Sequence, residues 1–187
     1  MNEPVPFPSI ETERLLLREI VELDTEDLFA IRGDLELMRW FGTEPPTDLT
    51  AVQSLVKKFA SGRIIENPST AWAIQAKDNP KLLGTCGLFS WNRNWRKCAV
   101  GYELAASAQG RGLMREALSA VLSWGFNNME LNRIEAQIHP DNHASIKLAR
   151  ALGFAEEGRL REIGFWGGQH HDMLQFSLLR REWRAPD

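Results

Sequence analysis

Cysteine is nearly missing from this chain: Cys86 and Cys98 are all that its 187 residues hold, too few and too isolated for a zinc site or a disulfide framework. Long apolar runs are missing too. Nothing approaches the roughly 18 residues needed to cross a bilayer, and nothing at the start joins a basic region to an apolar stretch, so no membrane partner and a cytoplasmic location are expected. Neither sign of charge dominates. Lys and Arg number 22 against 25 Asp and Glu, for a net charge of −3 and a pI near 5.9, which gives no general attraction to nucleic acid; a local basic patch is compatible with that balance. The sequence has no G-x-x-x-x-G-K-[ST] loop. Arg115 stands where the dinucleotide fingerprint needs its third glycine. Internal repeats and low-complexity linkers are also absent. What remains is 43% hydrophobic and 25% charged, the composition of one globular domain over residues 1–187.

The most informative segment starts where Ala99-Val100-Gly101-Tyr102-Glu103-Leu104-Ala105 alternates as a strand. Gln109-Gly110-Arg111-Gly112-Leu113-Met114-Arg115-Glu116-Ala117 then places two glycines ahead of an apolar-periodic stretch. Leu113, Ala117, Val121 and Trp124 fall at i, i+4, i+8 and i+11, one face of a helix. Strand, glycine turn and helix start make a cradle for a pyrophosphate. Glycine lets the backbone adopt φ > 0 and come close to an anion, and the first helical N–H groups are unpaired at the positive end of the helix dipole. Arg111 and Arg115 add charge beside it. Further on, Asn132 to His139 alternates as a strand, Pro140-Asp141-Asn142 supplies a break and a cap, Ala144 to Leu152 reads as a helix, and Gly153-Phe154 ends it.

Elsewhere the pattern predicts a strand at Leu15 to Arg18 and a helix from about Asp24 through Leu37. After a proline break at Pro45-Pro46, a helix is expected from about Leu49 to Ser61. Strands at Ala71 to Lys77 and Leu82 to Trp91 are joined by the turn Asp78-Asn79-Pro80. The last part reads as a hairpin, Gly164 to Gly167 and Met173 to Leu179 around Gly168-Gln169-His170-His171.

The chain resembles the GCN5-related N-acetyltransferase (GNAT) superfamily. That superfamily's acetyl-CoA motif, Q/R-x-x-G-x-G/A, appears as QGRGLM at residues 109–114, and its next motif, N-x-x-S/A-I-x-L-(Y)-x-x-L-G-F, as NHASIKLARALGF at 142–154. The opening ETERLLLRE, the VGYEL strand and the closing GQHHDMLQFSLLRREW are similar to the branch containing the ribosomal-protein N-terminal acetyltransferases RimJ and RimL. The expected fold is therefore α/β (α+β): a mixed, mostly antiparallel twisted sheet of about six to seven strands with helices on both faces. The resemblance also implies two neighbouring strands that splay apart around the pantetheine arm, here those ending at Ala105 and at His139. Met114 departs from the smaller residue of the general motif, and its side chain must find room on the sheet side of the helix.

The activity implied is transfer of an acetyl group from acetyl-CoA to a primary amine by direct attack, with no metal. The acceptor expected is a peptide or protein N-terminus. A small amine such as a polyamine, amino acid or aminoglycoside-like drug is the alternative, and a non-catalytic acetyl-CoA-binding module is a third reading. Such chemistry needs a neutral amine, an oxyanion site and a proton for the leaving thiolate. Glu103 is the candidate base, unless it is merely a solvent-facing strand residue, and a backbone N–H near Leu104 the oxyanion donor. Ser145 is the candidate acid, because Ala149 stands where many relatives carry a tyrosine; a serine at a helix start also serves as a backbone partner. Gln109, Gly110, Arg111, Gly112, Leu113 and Met114 are expected to hold the cofactor. Asn142 is read as helix cap, pantetheine contact or both. His139 is a second candidate base or a structural residue. His170 and His171 read as turn residues near the acceptor, and Asp172 as a substrate contact or an organiser of the hairpin. Among seven tryptophans, Trp91 and Trp95 suggest a subunit contact in a homodimer or an acceptor wall, and Trp40-Phe41 falls where the branch binds its acceptor. A polyamine acceptor would favour a distinctly acidic pocket, and the sequence does not place Glu44, Asp48 and Glu66 in one.

Overall fold

The computed structural model describes residues 6–61 and 69–185; Glu66 lies outside them. The described residues form eight strands: β1 (Ile10–Glu11), β2 (Leu15–Glu19), β3 (Thr70–Ala76), β4 (Asn79–Asn92), β5 (Lys97–Leu104), β6 (Arg133–Ile138), β7 (Ala155–Trp166) and β8 (Gln169–Leu179). They form one sheet in the order β1-β2-β3-β4-β5-β6-β8-β7. Only β5 and β6 are parallel. The helices are α1 (Thr25–Arg32), α2 (Leu35–Met38), α3 (Leu49–Ser61), α4 (Leu113–Asn128) and α5 (His143–Ala151).

Alternation along β3 shows how both faces are covered. Ala71 and Ala73 lie in one apolar cluster with Leu28 and Ile31 of α1 and Val52 and Val56 of α3. Trp72 and Ile74 belong to the other, with Leu113, Ala117, Leu118, Val121 and Leu122 of α4 and Ile146 and Ala149 of α5. Adjacent strand residues point to opposite faces, so one strand serves both cores. Trp72 is fully buried and meets Trp124 edge to face at 5.1 Å between centroids. Met114 finds its room in this second core, 8% exposed.

Three expectations are corrected. The helix expected from Asp24 through Leu37 is divided: Gly33 ends α1, and Asp34 starts α2 by accepting N–H bonds from Glu36 and Leu37 at 3.0 and 3.2 Å. A poor helix former followed by a strong cap outweighs the continuous apolar pattern. The turn expected over Asp78-Asn79-Pro80 occupies Lys77 and Asp78, with Asn79 already paired to Ala76. The hairpin arms are longer than predicted and turn at Gly167-Gly168, so His170 and His171 are strand residues. Most of β7 is exposed on both sides, so its sequence carries little alternation to read. The two-residue β1 adds a further strand to the six or seven expected.

The fork in the sheet fixes where chemistry can occur. β5 and β6 pair from Lys97↔Arg133 to Ala99↔Glu135. Beyond that, β5 continues along β4 to Leu104 and β6 along β8 to Ile138. Ions pin the closed end: Lys97 Nζ lies 3.1 Å from Glu135 Oε2, Arg133 Nε 2.8 Å from Glu135 Oε1, and Arg133 also pairs with Glu157 of β7. The Arg133 bond and that from Ser177 pull the Glu157 carboxyl down to about 2. Burial pushes Glu135 up, but Arg133 and Lys97 together hold it below the ordinary range.

Candidate active site

The glycine turn is built as the sequence predicts. β5 ends at Leu104, a short turn spans Ala106–Ala108, and Gly112 caps α4 in the left-handed region at φ 75°. Gly110 also has positive φ, 72°, and a Cβ added there would meet nothing within 4 Å. The turn therefore leaves open space in front of the backbone at the positive end of a 16-residue helix, which suits a pyrophosphate. An unforeseen clamp holds it. Arg14, just before β2, donates to the Arg111 carbonyl at 3.0 Å and to Glu116 Oε2 at 2.6 Å, while the Thr12 hydroxyl and Arg14 N–H donate to Glu116 Oε1. Burial pushes the Glu116 carboxyl up, and these donors more than reverse that, leaving it lowered.

Two cavities meet at the fork. The first, about 410 Å³, is lined by Gln109, Gly110, Gly112, Leu113, Met114 and Arg115 at one end and by Glu103 and Leu104 at the other. The second, about 320 Å³, lies between the parted strands, against Ala99 to Tyr102 and Glu135 to Ile138. Trp40, Phe41, Tyr102, Asn142 and Ser145 line both, so these five residues form the junction.

The expected site residues divide between cavity and scaffold. Glu103 faces inward rather than solvent, 7% exposed. Its Oε1 accepts from the Thr85 hydroxyl at 2.7 Å and Arg32 Nε at 2.9 Å, with Arg32 Nη2 at 2.8 Å, and its buried Oε2 has no partner. The Arg32 guanidinium is itself 5.0 Å from the Phe41 ring centroid and 5.9 Å from that of Phe59. Asn142 caps α5 by accepting the Ser145 N–H at 3.1 Å and still borders both cavities. Gln109 lines the first cavity while its side chain donates to the Leu104 carbonyl at 3.1 Å. Arg111 is exposed and not part of that wall; Arg115 is.

His139 lines neither cavity. Its Nδ1 accepts from Asp141 N–H at 3.1 Å, its Nε2 stands 3.4 Å from His171 Nδ1, and its ring stacks on Trp40 at 4.0 Å. Desolvation first, with His171 and Arg159 adding to it, lowers its pKa. The engagement of both nitrogens makes it part of the wall behind Trp40. His171 is buried, bonded to the Trp166 carbonyl and stacked on that indole at 3.7 Å. Asp172 binds Arg159 Nε at 2.6 Å and Glu162 N–H at 2.7 Å, so it orders the irregular part of the hairpin. Trp91 and Trp95 border neither cavity at the junction; Arg93 lies over Trp91 and Lys97 near Trp95.

Sequence reasoning missed Arg32, Thr85 and Tyr102. Arg32 reads as the basic last turn of a surface helix, and Thr85 as an ordinary strand residue. Tyr102 sits in the motif strand beside Glu103, where a lone tyrosine next to the base was the available signal.

The fork with a glycine cradle at its mouth is the arrangement that the resemblance to the acetyltransferases implied. The GNAT acetyltransferase domain profile matches residues 14–155, and the chain belongs to the GNAT family of acetyltransferases. It is 33% identical to the uncharacterized N-acetyltransferase YoaA of Bacillus subtilis over 174 residues, covering 93% of this chain and 98% of that protein. It is 30% identical over 107 residues to the [ribosomal protein uS5]-alanine N-acetyltransferase of Escherichia coli, covering 57% and 55%. Among solved structures, spermidine N-acetyltransferase of Vibrio cholerae, in complex with CoA and spermine, superposes with a TM-score of 0.79 at 22% identity over 91% of this chain and 98% of that one. The protein is thus an N-acetyltransferase with acetyl-CoA as co-substrate. No cluster of three or more His, Cys, Asp or Glu suited to a metal occurs among the described residues, and no described helix is long and apolar enough to cross a membrane.

Proposed function

We propose that the acceptor is the N-terminal amine of a peptide or protein, presented at the junction beneath Trp40 and Phe41. The observation that carries this reading is the state of the carboxylates around the site. Glu103 is the one with a buried oxygen left open. Glu44 accepts the Gly167 N–H at 2.6 Å, and Glu36, at the rim of the first cavity, is 87% exposed and forms only a loose surface pair with Arg39 at 3.9 Å. A single amine matches one open carboxylate oxygen; a polyamine carries several charges, each needing its own partner. A third cavity, about 330 Å³ and lined by Arg39, Trp40, Glu44, Pro45, Trp166 and Gln169 among others, shares Trp40 with the junction and offers aromatic, polar and charged walls to the residues behind an N-terminus. The similarity to the uS5-alanine enzyme supports the same class. A ribosomal-type acceptor would place the enzyme in the cytoplasm.

Acetyl-CoA supplies the activated acyl group. Gly110, Gly112 and the open N–H groups of Leu113 to Arg115 hold the pyrophosphate, and Gln109 fixes the end of β5 beneath it. Asn142 and the parted strand edges take the pantetheine arm. Glu103 Oε2 accepts the amine proton, directly or through a water, while Arg32 and Thr85 hold the opposite oxygen. Backbone N–H near Leu104 receives the developing oxyanion. Ser145 delivers a proton to the departing sulfur.

The test is thiol release from acetyl-CoA with peptides beginning in Ala or Ser, the same peptides blocked at the N-terminus, and spermidine. Turnover of the free peptides above both others is expected. A kcat/KM for spermidine exceeding that of the peptides would overturn the assignment in favour of a small amine.

A further inference from the structure

Trp40 holds a place that no other described residue shares: it borders both cavities of the fork and the third cavity beside them. Yet it sits in the turn after α2, outside any helix or strand, so side chains must hold it. Its indole stacks on the His139 ring at 4.0 Å and 16°, and the carbonyl of the preceding Arg39 accepts from Trp166 Nε1 at 3.2 Å. Trp166 in turn stacks on His171 at 3.7 Å and 12°. Two buried imidazoles, one just past β6 and one on β8, therefore stand behind the two indoles.

Their hydrogen bonds admit one arrangement of protons. The Asp141 N–H donates to His139 Nδ1 at 3.1 Å, so that nitrogen is bare. His171 Nε2 lies 3.1 Å from the Trp166 carbonyl, which only accepts, so that nitrogen carries hydrogen. The remaining contact, 3.4 Å between His139 Nε2 and His171 Nδ1, is satisfied when the first donates to the second. Both rings are then neutral and in the Nε2–H form. A further proton has two places to go. At His139 Nδ1 it would face the Asp141 N–H, and at His171 Nδ1 it would face the His139 Nε2–H.

Protons do reach the pair. A cavity of about 350 Å³ borders both rings, with Asp141 beyond β6, Arg159 and Glu162 from β7, and His170 and Asp172 from β8. Asp141 Oδ2 is 3.9 Å from His139 Nδ1, Arg159 engages Asp172 at 2.6 Å, and the Arg39 guanidinium lies 4.5 Å from the Trp40 ring centroid. Burial first, then His171 and Arg159, push the His139 pKa down, and they outweigh Asp141 and Asp172. The ring is therefore neutral at pH 7 and takes its proton below about 6.5, the ordinary value.

We propose that His139 and His171 are positioning residues for the acceptor: as a neutral, hydrogen-bonded pair they hold Trp40 where the three cavities meet, and a proton on either ring releases it and weakens acceptor binding. This rests on the proposed function, which puts the acceptor beneath Trp40. His171 reaches the third cavity, but neither ring lines those of the fork, so acceptor affinity moves while the chemical step does not. A charged His139 keeps an attraction for an indole face. Arg39 already supplies a cation there, and the added proton still breaks one link of the pair.

The test reads rings and acceptor separately. Nitrogen-15 spectra of the imidazoles, assigned with His139→Phe and His171→Phe, should show both as Nε2–H tautomers at pH 7.5. On acidification to pH 5 the Trp40 indole resonance, assigned with Trp40→Phe, should move together with the His139 ring. At saturating CoA, the N-acetylated product of the best acceptor has no titrating amine at its reacting end. It should bind about 3–10-fold more weakly at pH 5 than at pH 7.5, the effect of one lost hydrogen bond. His171→Phe keeps a flat ring against Trp166 and removes the accepting nitrogen. At pH 7.5 it should raise KM for the acceptor by a similar factor, with kcat and KM for acetyl-CoA within a few-fold of wild type. A charged ring or an Nδ1–H tautomer at pH 7.5, an indole indifferent to the titration, or a flat product affinity overturns the proposal. So does a folded His171→Phe enzyme with the wild-type acceptor KM, and a fall in its kcat of about 10²-fold with KM unmoved assigns the pair to proton transfer instead. If the variants fail to fold, the wild-type product binding decides. If no acceptor turns over, the acceptor assignment fails, while the tautomers and the Trp40 resonance still decide for or against the pair.

Discussion

Glu103 and Arg32 show what a single buried charge demands of its neighbours. The Glu103 side chain is 3% exposed and that of Arg32 14%, so each depends on the other in a way a surface pair does not. Removing only the guanidinium leaves a carboxylate stranded. Arg32→Ala is expected to destabilise the fold by about 3–5 kcal/mol, read as a fall in the denaturant midpoint, and to impair turnover in what remains folded. Glu103→Gln separates structure from chemistry, because an amide oxygen can still accept from Thr85 and Arg32 while the open position no longer takes a proton. A fall of about 10²-fold or more in kcat with little change in thermal midpoint is expected; unchanged kcat would remove Glu103 from the reaction. Gly84 carries a related constraint, since a Cβ there would stand 2.2 Å from the Glu103 carbonyl. Gly84→Ala should displace β4 from β5 and cost activity together with stability, measured by kcat and melting on the same preparation. None of this was legible in the sequence beyond the choice of Glu103 itself. Its neighbours on β5 marked the motif, but Arg32 reaches it across 71 positions of chain, and nothing local in α1 signals that reach.

At the scale of elements, two ionic clamps hold the two ends of the cofactor site. Arg14 and Thr12 fasten the first turn of α4 through Glu116, and Arg133 with Lys97 fastens the closed end of the fork through Glu135 and Glu157. All three carboxyls are lowered in the folded protein. A lowered folded pKa means that the unfolded chain binds protons first as pH falls. The stability these groups contribute is therefore present above the unfolded carboxyl pKa, about 4.3, and disappears as pH drops through the folded values toward about 2 for Glu157. Melting between pH 7 and pH 3 should show this loss. Glu116→Gln should lower the midpoint at pH 7 and flatten the acid limb, while weakening acetyl-CoA binding more than Glu157→Gln, whose partner lies far from the glycine turn. An acid limb as steep in Glu116→Gln as in wild type would show that the clamp contributes no linkage. The elements themselves were read well where one face is buried, as in α3 and α4, and where a short apolar run is buried on both faces, as in β3. They were read poorly where pattern and burial part company: α1 and α2 share an apolar stripe broken by Gly33 and Asp34, and β7 is too exposed to alternate.

Across the whole molecule, the sheet converts a local interruption of pairing into a binding site. Between Ala99 and Leu104 one strand edge loses its parallel neighbour, and the space is closed from one side by Trp40 and Phe41 and from the other by α5. Filling it should stabilise the entire fold, because α4, α5 and both strands of the fork contribute to the same apolar cluster. A ligand that binds only the folded state at 100 times its dissociation constant adds about 2.7 kcal/mol. For a chain of 187 residues, about 2–4 °C per kcal/mol places the rise in midpoint at roughly 5–10 °C. Acetyl-CoA and CoA should both produce it and NADH should not, since the glycine turn has Arg115 where a dinucleotide site needs glycine. Substituting the turn gives the sharper comparison. Gly110 and Gly112 hold φ of 72° and 75°, and Gly112→Val would both strain that backbone and put a branched side chain at the start of α4. The variant should melt lower by itself and lose most of the acetyl-CoA shift. A full shift retained in Gly112→Val would mean that the ligand is held mainly by the fork and not by the cradle, and the division of labour between strand edges and helix start would have to be reversed.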